Sequence, residues 1–439
     1  MSDRTQTETA TIPGPSRPAA EPTPARPEPG PAAPSARSVW LTRLLMVGIV
    51  LAALNLRPAI TSLGALLEEV RDGLHMSGGL AGLLTSVPPL CFAVFGSAAP
   101  RLSRRLGPGA VVLAGMAAIT AGLLLRPFAG GTAAFLAASA LALMGIALSN
   151  VLMPVIVKRY FPDRVGTMTG LYSMALALGT SLAAAATVPV TDALGGDWRY
   201  GLAVWAALGV LAVAVWLPLA RGGGSAASTA DPAADADAGR TAPAAPALPI
   251  TRSRTAWALA CFFGLQATGA YITMGWMPQI FRDAGVSAGT AGVLLAVTMV
   301  MGVPLAFVIP RLATRMRTQG PIALALGACG LIGYAGLYLA PAGGAWAWAL
   351  LLGVSNCAFP LALTMIGMRS RTGAGVVRLS AFAQSVGYLI SIPGPILVGT
   401  LYEHSGGWDM PLTLMGALMV PQMIAGVLAG RDRTIEDEG

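Results

Sequence analysis

The stretch that most constrains the fold runs from Leu41 to Leu66, LTRLLMVGIVLAALNLRPAITSLGAL, an apolar run with one arginine, Arg57, near its middle. A helix rises about 1.5 Å per residue, so about 20 apolar residues cross a bilayer core about 30 Å thick. Arg57 then lies about 21 Å along the helix from Arg43, near mid-depth. A charge at that depth costs roughly 2.5–3.5 kcal/mol on insertion scales. We therefore expect Arg57 to face the protein interior or a water-filled cavity.

Composition extends this interpretation to the whole chain. Hydrophobic residues make up 55% and charged residues 11% of the 439 residues, and the mean hydropathy is +0.67, outside the range of soluble globular proteins. The net charge of +8 comes from basic residues in short loops between apolar runs, which the positive-inside rule explains. We predict a multi-pass membrane protein that contacts lipid and binds no nucleic acid. The four cysteines lie in apolar runs without paired spacing, so we predict reduced packing residues, no metal site and no cofactor.

Twelve apolar runs divide into two groups of six, separated by a polar, low-complexity segment. The N-terminal segment is rich in Pro, Ala, Thr and Ser and has no apolar run, so it cannot bury enough surface to fold. The predicted divisions are a disordered cytoplasmic tail (1–39), an N-terminal half of six helices (40–219), a cytoplasmic linker (220–254), a C-terminal half of six helices (255–430) and a cytoplasmic tail (431–439).

Most of the 28 Lys and Arg residues fall in the tails, the linker and alternate loops on the same side, so we predict that both termini are cytoplasmic in an inner (plasma) membrane. Arg126 and three other arginines are placed at outer loops or helix ends, which leaves Arg57 as the one arginine within the membrane. Glu68 and Glu69 follow the first run on the outer side, and we interpret them as solvated loop carboxylates.

The two halves repeat short motifs in the same order. Pro-Arg-Leu ends the second run at 100–102 and the eighth at 310–312, and a Gly-Gly pair with Trp and Asp precedes the sixth run at 195–198 and the twelfth at 406–409. Ser-Asn also stands four residues before a proline in both the fourth and the tenth runs. Since six is even, both copies have the same topology, and the halves should be related by an axis along the membrane normal.

With these features the chain resembles the major facilitator superfamily over residues 40 to 430. The resemblance implies an all-α polytopic membrane protein, with twelve transmembrane helices in two six-helix halves related by a pseudo-two-fold along the membrane normal. That family's loop motif, G-x-x-x-D-R-x-G-R-[RK], corresponds to residues 96–105, where the glycine and the arginines are kept and Pro100 replaces the aspartate. The arginines then serve either a cytoplasmic gate or only topology and lipid headgroups. The predicted gate and loop residues are Gly96, Arg101, Arg104, Arg105, Arg311 and Arg315.

A narrower resemblance rests on Asn-Leu-Arg-Pro at 55–58, Gly-Leu-Leu-Thr-Ser-Val-Pro at 82–88 and Pro-Arg-Leu at 100–102. Their order and spacing are similar to the cyanate permease and nitroimidazole transporter branch of the superfamily. Members of that branch carry small anionic or polar solutes, so the resemblance implies a substrate class. The resemblance also implies a monomer, because members of the superfamily are usually monomeric.

The positions of the acidic residues indicate which group could balance the positive charge of Arg57. All 20 Asp and Glu lie in tails, loops or helix ends, and His75 and His404 fall in outer loops. Without a fixed counter-ion, an anionic solute is the natural partner of the guanidinium, whose planar fork suits carboxylate, cyanate-like or nitro oxygens. The alternative is a structural arginine that caps carbonyls freed by Pro58. Proton symport through a buried acid is disfavoured, whereas a uniporter, an anion exchanger and a carrier of the protonated acid all remain open.

In the superfamily that the chain resembles, spans one, four, seven and ten line the central cavity, so we looked there for polar groups that would be costly against lipid. Two residues of span eleven, four apart and therefore on one helical face, join them. For the Ser-Asn pairs the alternative role is interhelical hydrogen bonding. The predicted solute-binding residues are Asn55, Arg57, Asn150, Gln266, Tyr271, Asn356, Gln384 and Tyr388.

We thus predict a secondary transporter that moves a small anionic or polar solute by alternating access. The alternatives are an exporter of a drug or of an acidic or neutral metabolite, and a transporter-like sensor. No nucleophile, metal cluster or acid–base pair occurs at depth, and no nucleotide-binding loop is present, so the sequence favours neither an enzyme nor an ATP-driven pump.

Overall fold

The computed structural model describes residues 36–226 and 250–438. Residues 1–35 of the predicted N-terminal tail and most of the predicted linker lie outside the described residues. The chain divides into a unit that ends at Trp40 and a unit from Leu41 to Gly439, and the features below belong to the second.

The described residues are all-helical. The α-helices are Ala36–Asn55, Pro58–Ala65, Leu67–Leu74, Gly78–Leu106, Pro108–Leu125, Thr132–Tyr160, Val165–Ala193, Trp198–Ala203, Ala206–Ala226, Arg254–Asp283, Ala288–Val300, Gly302–Arg315, Gly320–Leu339, Ala345–Asn356, Ala358–Met368, Gly373–Ser391, Pro393–Ser405 and Asp409–Ala429. Short 3₁₀ turns occur at Arg126–Phe128, Pro162–Arg164, Ile250–Arg252 and Ile435–Glu438.

Within 36–226 and 250–438, twelve helical stretches are long and apolar enough to cross a membrane, which confirms the predicted fold class. We number them as spans 1 to 12: Trp40–Ala65, Gly78–Gly96, Pro108–Phe128, Thr132–Tyr160, Thr167–Ala193, Trp198–Ala220, Arg254–Asp283, Ala288–Arg315, Gly320–Leu339, Ala345–Met368, Gly375–Ser405 and Asp409–Ala429. The boundaries of the two halves stay predictions.

Several spans are broken rather than continuous. Span 1 breaks between Asn55 and Pro58, and span 10 breaks at Cys357. A proline at the start of a helix has no amide hydrogen to leave unsatisfied, so Pro58 can begin the second piece of span 1 without loss. Broken spans are where transporters commonly place their solute sites, because the helix ends offer polar backbone groups at depth.

The helix ends form two faces of opposite composition. We call acidic face the end of the bundle where Glu68, Glu69 and Asp283 lie, and basic face the end where Arg104 and Arg315 lie. The sequence predicts that the basic face is cytoplasmic, and that orientation stays a prediction.

Glycines let the halves approach closely near the acidic face. A Cβ on Gly64 of span 1 would lie 2.0 Å from the carbonyl oxygen of Met274 in span 7, and one on Gly399 of span 11 would lie 2.2 Å from the carbonyl oxygen of Gly78 in span 2. Nearer the basic face, a Cβ on Gly170 of span 5 would lie 3.9 Å from the Phe307 ring of span 8, which is an ordinary contact. The acidic face is therefore closed by backbone-to-backbone packing that no larger residue would allow.

The C-terminal tail docks on the basic face of the C-terminal half. Glu438 accepts hydrogen bonds from the backbone N–H (3.1 Å) and hydroxyl (2.7 Å) of Thr255, at the start of span 7. Glu436 accepts from the Ser370 hydroxyl at 2.6 Å, and Asp437 pairs with Arg371 after span 10. We call residues 434–438 the tail latch.

Hydrogen bonding also sets the acidity of the latch. Burial opposes ionisation of Glu436 and Glu438, but the hydrogen bonds that they accept outweigh it and hold the pKa of both carboxyls below the usual value. The latch carboxylates are therefore bound as anions.

Candidate solute-binding site

Arg57 lies at the break of span 1, as the residue that precedes the helix Pro58–Ala65. Its carbonyl oxygen accepts hydrogen bonds from the N–H groups of Ile60 (2.9 Å) and Thr61 (3.1 Å), so the backbone alone starts the new helix. The Arg57 side chain is partly exposed.

Three tyrosines surround the Arg57 guanidinium. The Arg57 guanidinium lies close enough to act electrostatically on the hydroxyl groups of Tyr271 of span 7, Tyr172 of span 5 and Tyr388 of span 11. The Tyr172 hydroxyl donates to the side-chain carbonyl of Asn150 in span 4. Arg57, Asn150, Tyr271 and Tyr388, all predicted from the sequence, therefore lie in one cluster.

Aromatic rings form the walls of this cluster. Tyr388 stacks on Phe92 with ring centroids 5.1 Å apart, and Phe263 meets Tyr388 edge-on at 5.2 Å. Offset-stacked and edge-to-face geometries are the favourable ones for aromatic pairs. The site thus combines a cation, phenolic hydroxyls and flat apolar surfaces.

Within the described part of the chain, no ion pair involves Arg57. The same residues contain no group of three or more His, Cys, Asp or Glu that could hold a metal ion. The positive charge is therefore balanced by no carboxylate of these residues, and an arginine stays protonated at any working pH. Such a site can bind an anion or a nitro group through the guanidinium fork and the hydroxyls.

Gln266 and Asn356 come together at a different place. The Gln266 amide donates to the Asn356 side-chain oxygen at 3.2 Å, and both line a cavity with Tyr334 and Gln422 between spans 7, 9, 10 and 12. Gln266 stands five residues before Tyr271, which on a helix separates the two side chains by about 140°. Gln266 therefore points into the C-terminal half while Tyr271 points to Arg57.

The other two predicted binding residues, Asn55 and Gln384, make hydrogen bonds outside the Arg57 cluster. Asn55 is buried and donates to the carbonyl oxygens of Leu51 (2.8 Å) and Leu208 (3.0 Å), which ties span 1 to span 6. Gln384 donates to the Ser380 hydroxyl at 2.7 Å, one turn earlier on span 11. Because Ser380, Gln384 and Tyr388 recur every four residues, they form a polar stripe that runs from the basic face toward Arg57.

The predicted gate residues lie at the basic face. Arg101, Arg104, Arg105, Arg311 and Arg315 are all exposed, and none belongs to an ion pair within the described ranges. A Cβ on Gly96 would meet Val151 at 3.6 Å, an ordinary contact, so glycine is not required there for close packing.

The acidic face carries a charged contact between the halves that the sequence did not indicate. Arg282, at the end of span 7, lies 2.8 Å from a Glu68 oxygen and 2.9 Å from a Glu69 oxygen, which follow span 1. The interpretation of these two glutamates as solvated loop carboxylates was wrong, because a basic residue of the other half of the chain binds both. We call Arg282 with Glu68 and Glu69 the acidic-face clamp.

An aromatic cluster supports the clamp. The Tyr402 hydroxyl and the Trp408 indole N–H both donate to Asp283, at 2.8 and 2.7 Å, and the Arg71 guanidinium lies 5.6 Å from the centre of the Tyr402 ring. Trp276 is fully buried beneath these rings. The clamp and this cluster join the two halves of the chain at the acidic face.

Tyr172 is the member of the central cluster that the sequence analysis missed, because the search was confined to spans 1, 4, 7, 10 and 11. Its one signal in the sequence is a tyrosine within the apolar span 5. Phe92 and Phe263 carry no signal that separates them from packing residues.

Comparison with known proteins gives the same overall picture. A family model, the Major Facilitator Superfamily, matches residues 45–372. The chain is 36% identical over 404 residues to an uncharacterized transporter, YycB, of Bacillus subtilis (strain 168), across 91% of this chain and 95% of that protein. It is 33% identical over 400 residues to a 2-nitroimidazole transporter of Escherichia coli (strain K12), across 89% of this chain and 96% of that protein.

A further relative and a solved structure agree. The cyanate transport protein CynX of Escherichia coli (strain K12) is 30% identical over 381 residues, across 87% of this chain and 95% of that protein. The crystal structure of the nucleoside transporter NupG (D323A mutant) shares 12% identity with a TM-score of 0.70, across 89% of this chain and 99% of that chain. At that identity the likeness shows the fold alone.

Proposed function

Because the chain belongs to the Major Facilitator Superfamily and its relatives are transporters rather than enzymes, we propose that it carries a small anionic or nitro-bearing solute by alternating access, with Arg57 as the residue that binds the negative charge. The observation that carries this proposal is the unbalanced Arg57 guanidinium at the break of span 1, surrounded by three tyrosines.

The solute class follows from the shape of the site. The two relatives with named substrates transport 2-nitroimidazole and cyanate. A nitro group and a cyanate ion both present negative charge at a terminal atom, which suits the donor fork of arginine. A flat ring attached to the charged group would pack against Phe92, Phe263 and Tyr388. The proposed substrates are therefore small monoanions and flat nitro or carboxylate compounds.

The proposed cycle starts from the arrangement seen here. The acidic face is closed by the clamp, and the solute reaches Arg57 from the basic face. Binding satisfies a charge that is otherwise unbalanced, and rocking of the halves then exposes the site to the acidic face. If the basic face is cytoplasmic, as predicted, this conformation is the inward-facing one.

Thermal stability of the purified protein tests the proposal. A ligand that binds only the folded protein stabilises it by RT ln(1 + [L]/Kd), so cyanate, 2-nitroimidazole and benzoate should raise the melting temperature in a concentration-dependent way. Arg57→Gln should abolish most of the shift. Arg43→Gln, which removes an exposed arginine of the same span, is the matched control and should leave the shift unchanged.

Counterflow of the best ligand in proteoliposomes then separates a carrier from a sensor, since only a carrier exchanges labelled for unlabelled solute. Equal stabilisation of the parent and Arg57→Gln would overturn the proposed role of Arg57.

A further inference from the structure

A second arginine is buried within the bundle. Arg126, at the end of span 3, is only 1% exposed. The sequence analysis placed it at an outer helix end, and Arg126 lies at the end of span 3, but the sequence did not indicate that its side chain turns inward onto span 1. Its Nη1 donates to the Ala59 carbonyl at 2.8 Å, and its Nη2 donates to the Ser62 hydroxyl at 3.3 Å.

The Arg126 guanidinium keeps unused capacity. An arginine has five N–H donors, and the two bonds above use only part of them. The buried Nε of Arg126 has no hydrogen-bond partner. In residues 36–226 and 250–438, Arg126 takes part in no ion pair, so its charge is unbalanced too. A buried charge left unpaired in this way is costly.

Arg126 faces a narrow cavity next to the central cluster. The cavity is lined by Arg126, Ser139, Thr85 and Tyr271 among others. The Ser139 hydroxyl is also buried without a hydrogen-bond partner, whereas Thr85 donates within its own helix, to the Gly82 carbonyl at 2.9 Å. Tyr271 lines this cavity and also belongs to the central cluster around Arg57. The cavity therefore adjoins the proposed solute site.

The position of the cavity along the bundle can be estimated from span 1. Ala59 and Ser62, which hold Arg126, follow Arg57 by less than two turns, a rise of about 3–8 Å toward the acidic face. The cavity thus lies between the Arg57 cluster and the closed acidic-face clamp. An anion that entered from the acidic face would meet Arg126 before Arg57.

We propose that Arg126 and Ser139 form a second anion-binding site, distinct from the Arg57 cluster, for a monatomic anion such as chloride. The unpartnered Nε–H and hydroxyl supply two donors, and the guanidinium supplies the charge. The cavity volume of about 10 Å³ is no more than a single water molecule needs, so the cavity suits a monatomic ion and excludes a ring compound. This inference rests on the proposed function only in taking the solute of Arg57 to be an anion.

The experiment uses Arg57→Gln as its background, so that binding at the central site is removed first. The melting temperature of the full chain is measured with sodium chloride and with sodium cyanate, against sodium gluconate of equal ionic strength. We expect residual stabilisation by chloride and none by cyanate. Adding Ser139→Asp, which places a carboxylate beside Arg126, should remove that stabilisation.

Ser139→Ala provides an independent check that leaves the charge in place. Removing one donor should weaken the affinity for the small anion several-fold without abolishing binding. Chloride is the expected ligand, because the cavity has room for about one water-sized centre.

Two results overturn the inference. If cyanate stabilises the parent but no small anion stabilises Arg57→Gln, then there is no second site and the proposed function stands. If Arg57→Gln responds equally with and without Ser139→Asp, the residual binding lies elsewhere. Failure of the proposed function has a different signature, because then Arg57→Gln would leave the response of the parent to cyanate and benzoate unchanged.

Discussion

The acidic-face clamp should hold the structure in its present conformation, and Arg282→Gln tests this. The Arg282 side chain is 17% exposed, and those of Glu68 and Glu69 are 40% and 31% exposed. Hydrogen bonds to charged groups contribute about 1.5–3 kcal/mol when buried, whereas exposed ion pairs contribute about 0–1 kcal/mol. A largely buried arginine between two partly exposed carboxylates should therefore favour the closed acidic face by about 1–2 kcal/mol, or roughly 5- to 30-fold in population.

A cysteine beneath the clamp reports that population. Leu63 is 6% exposed, below the clamp in span 1. In a Leu63→Cys protein, labelling by a membrane-impermeant maleimide from the acidic side should be slow. Adding Arg282→Gln should raise the labelling rate roughly 5- to 30-fold. The same chain without Leu63→Cys measures the background from the four native cysteines.

Arg199→Gln is the matched control for this prediction. Arg199 also lies on the acidic face and pairs with a carboxylate, Asp197 at 3.6 Å, but both belong to the same half of the chain. Its loss should leave the labelling rate unchanged. An unchanged rate in Arg282→Gln, or an equal rise in Arg199→Gln, would refute the idea that the clamp holds the halves together.

Three further predictions follow from other contacts. Gly64→Ala puts a methyl group 2.0 Å from a carbonyl oxygen, so it should prevent full closure of the acidic face and raise labelling there, whereas Gly416→Ala, with open space around it, should not. Tyr172→Phe removes a hydroxyl beside Arg57 and should weaken binding of cyanate about 3- to 10-fold at unchanged melting temperature, as a titration of the thermal shift would show. The carboxyls of Glu436 and Glu438 have a lower pKa in the docked tail than their ordinary pKa of 4.5. Their contribution to docking is therefore fully present at pH values above 4.5, and it is lost as the pH falls through the pKa of the docked state. Hydrogen exchange at Ile435, corrected for intrinsic rates, should therefore be protected at pH 7 and lose protection below about pH 4.5; constant protection down to pH 3 would contradict this.

The sequence predicts the twelve spans well because each is an apolar run of sufficient length, and a bilayer leaves few alternatives for such a run. The cluster around Arg57 is also partly predictable. Pro58 marks the break of span 1, and a tyrosine deep in an apolar span needs a polar partner.

What the sequence could not supply is the direction in which each side chain points. A span that is apolar on all sides has no periodicity that separates a cavity face from a packing face. Gln266 and Tyr271 are therefore indistinguishable in the sequence, although they point into different cavities. The burial of Arg126 was not predicted for a related reason, because hydropathy places a residue along the membrane normal but does not show that its side chain turns into the protein.

The central cluster is divided between the halves in a way that affects which molecules are carried. Arg57, Phe92 and Tyr172 belong to the N-terminal half, whereas Phe263, Tyr271 and Tyr388 belong to the C-terminal half. A molecule that touches both sets acts as a cross-link between the halves and gains its last contacts as they move. One that satisfies only the guanidinium would occupy the site without driving the movement, and would behave as a competitive inhibitor.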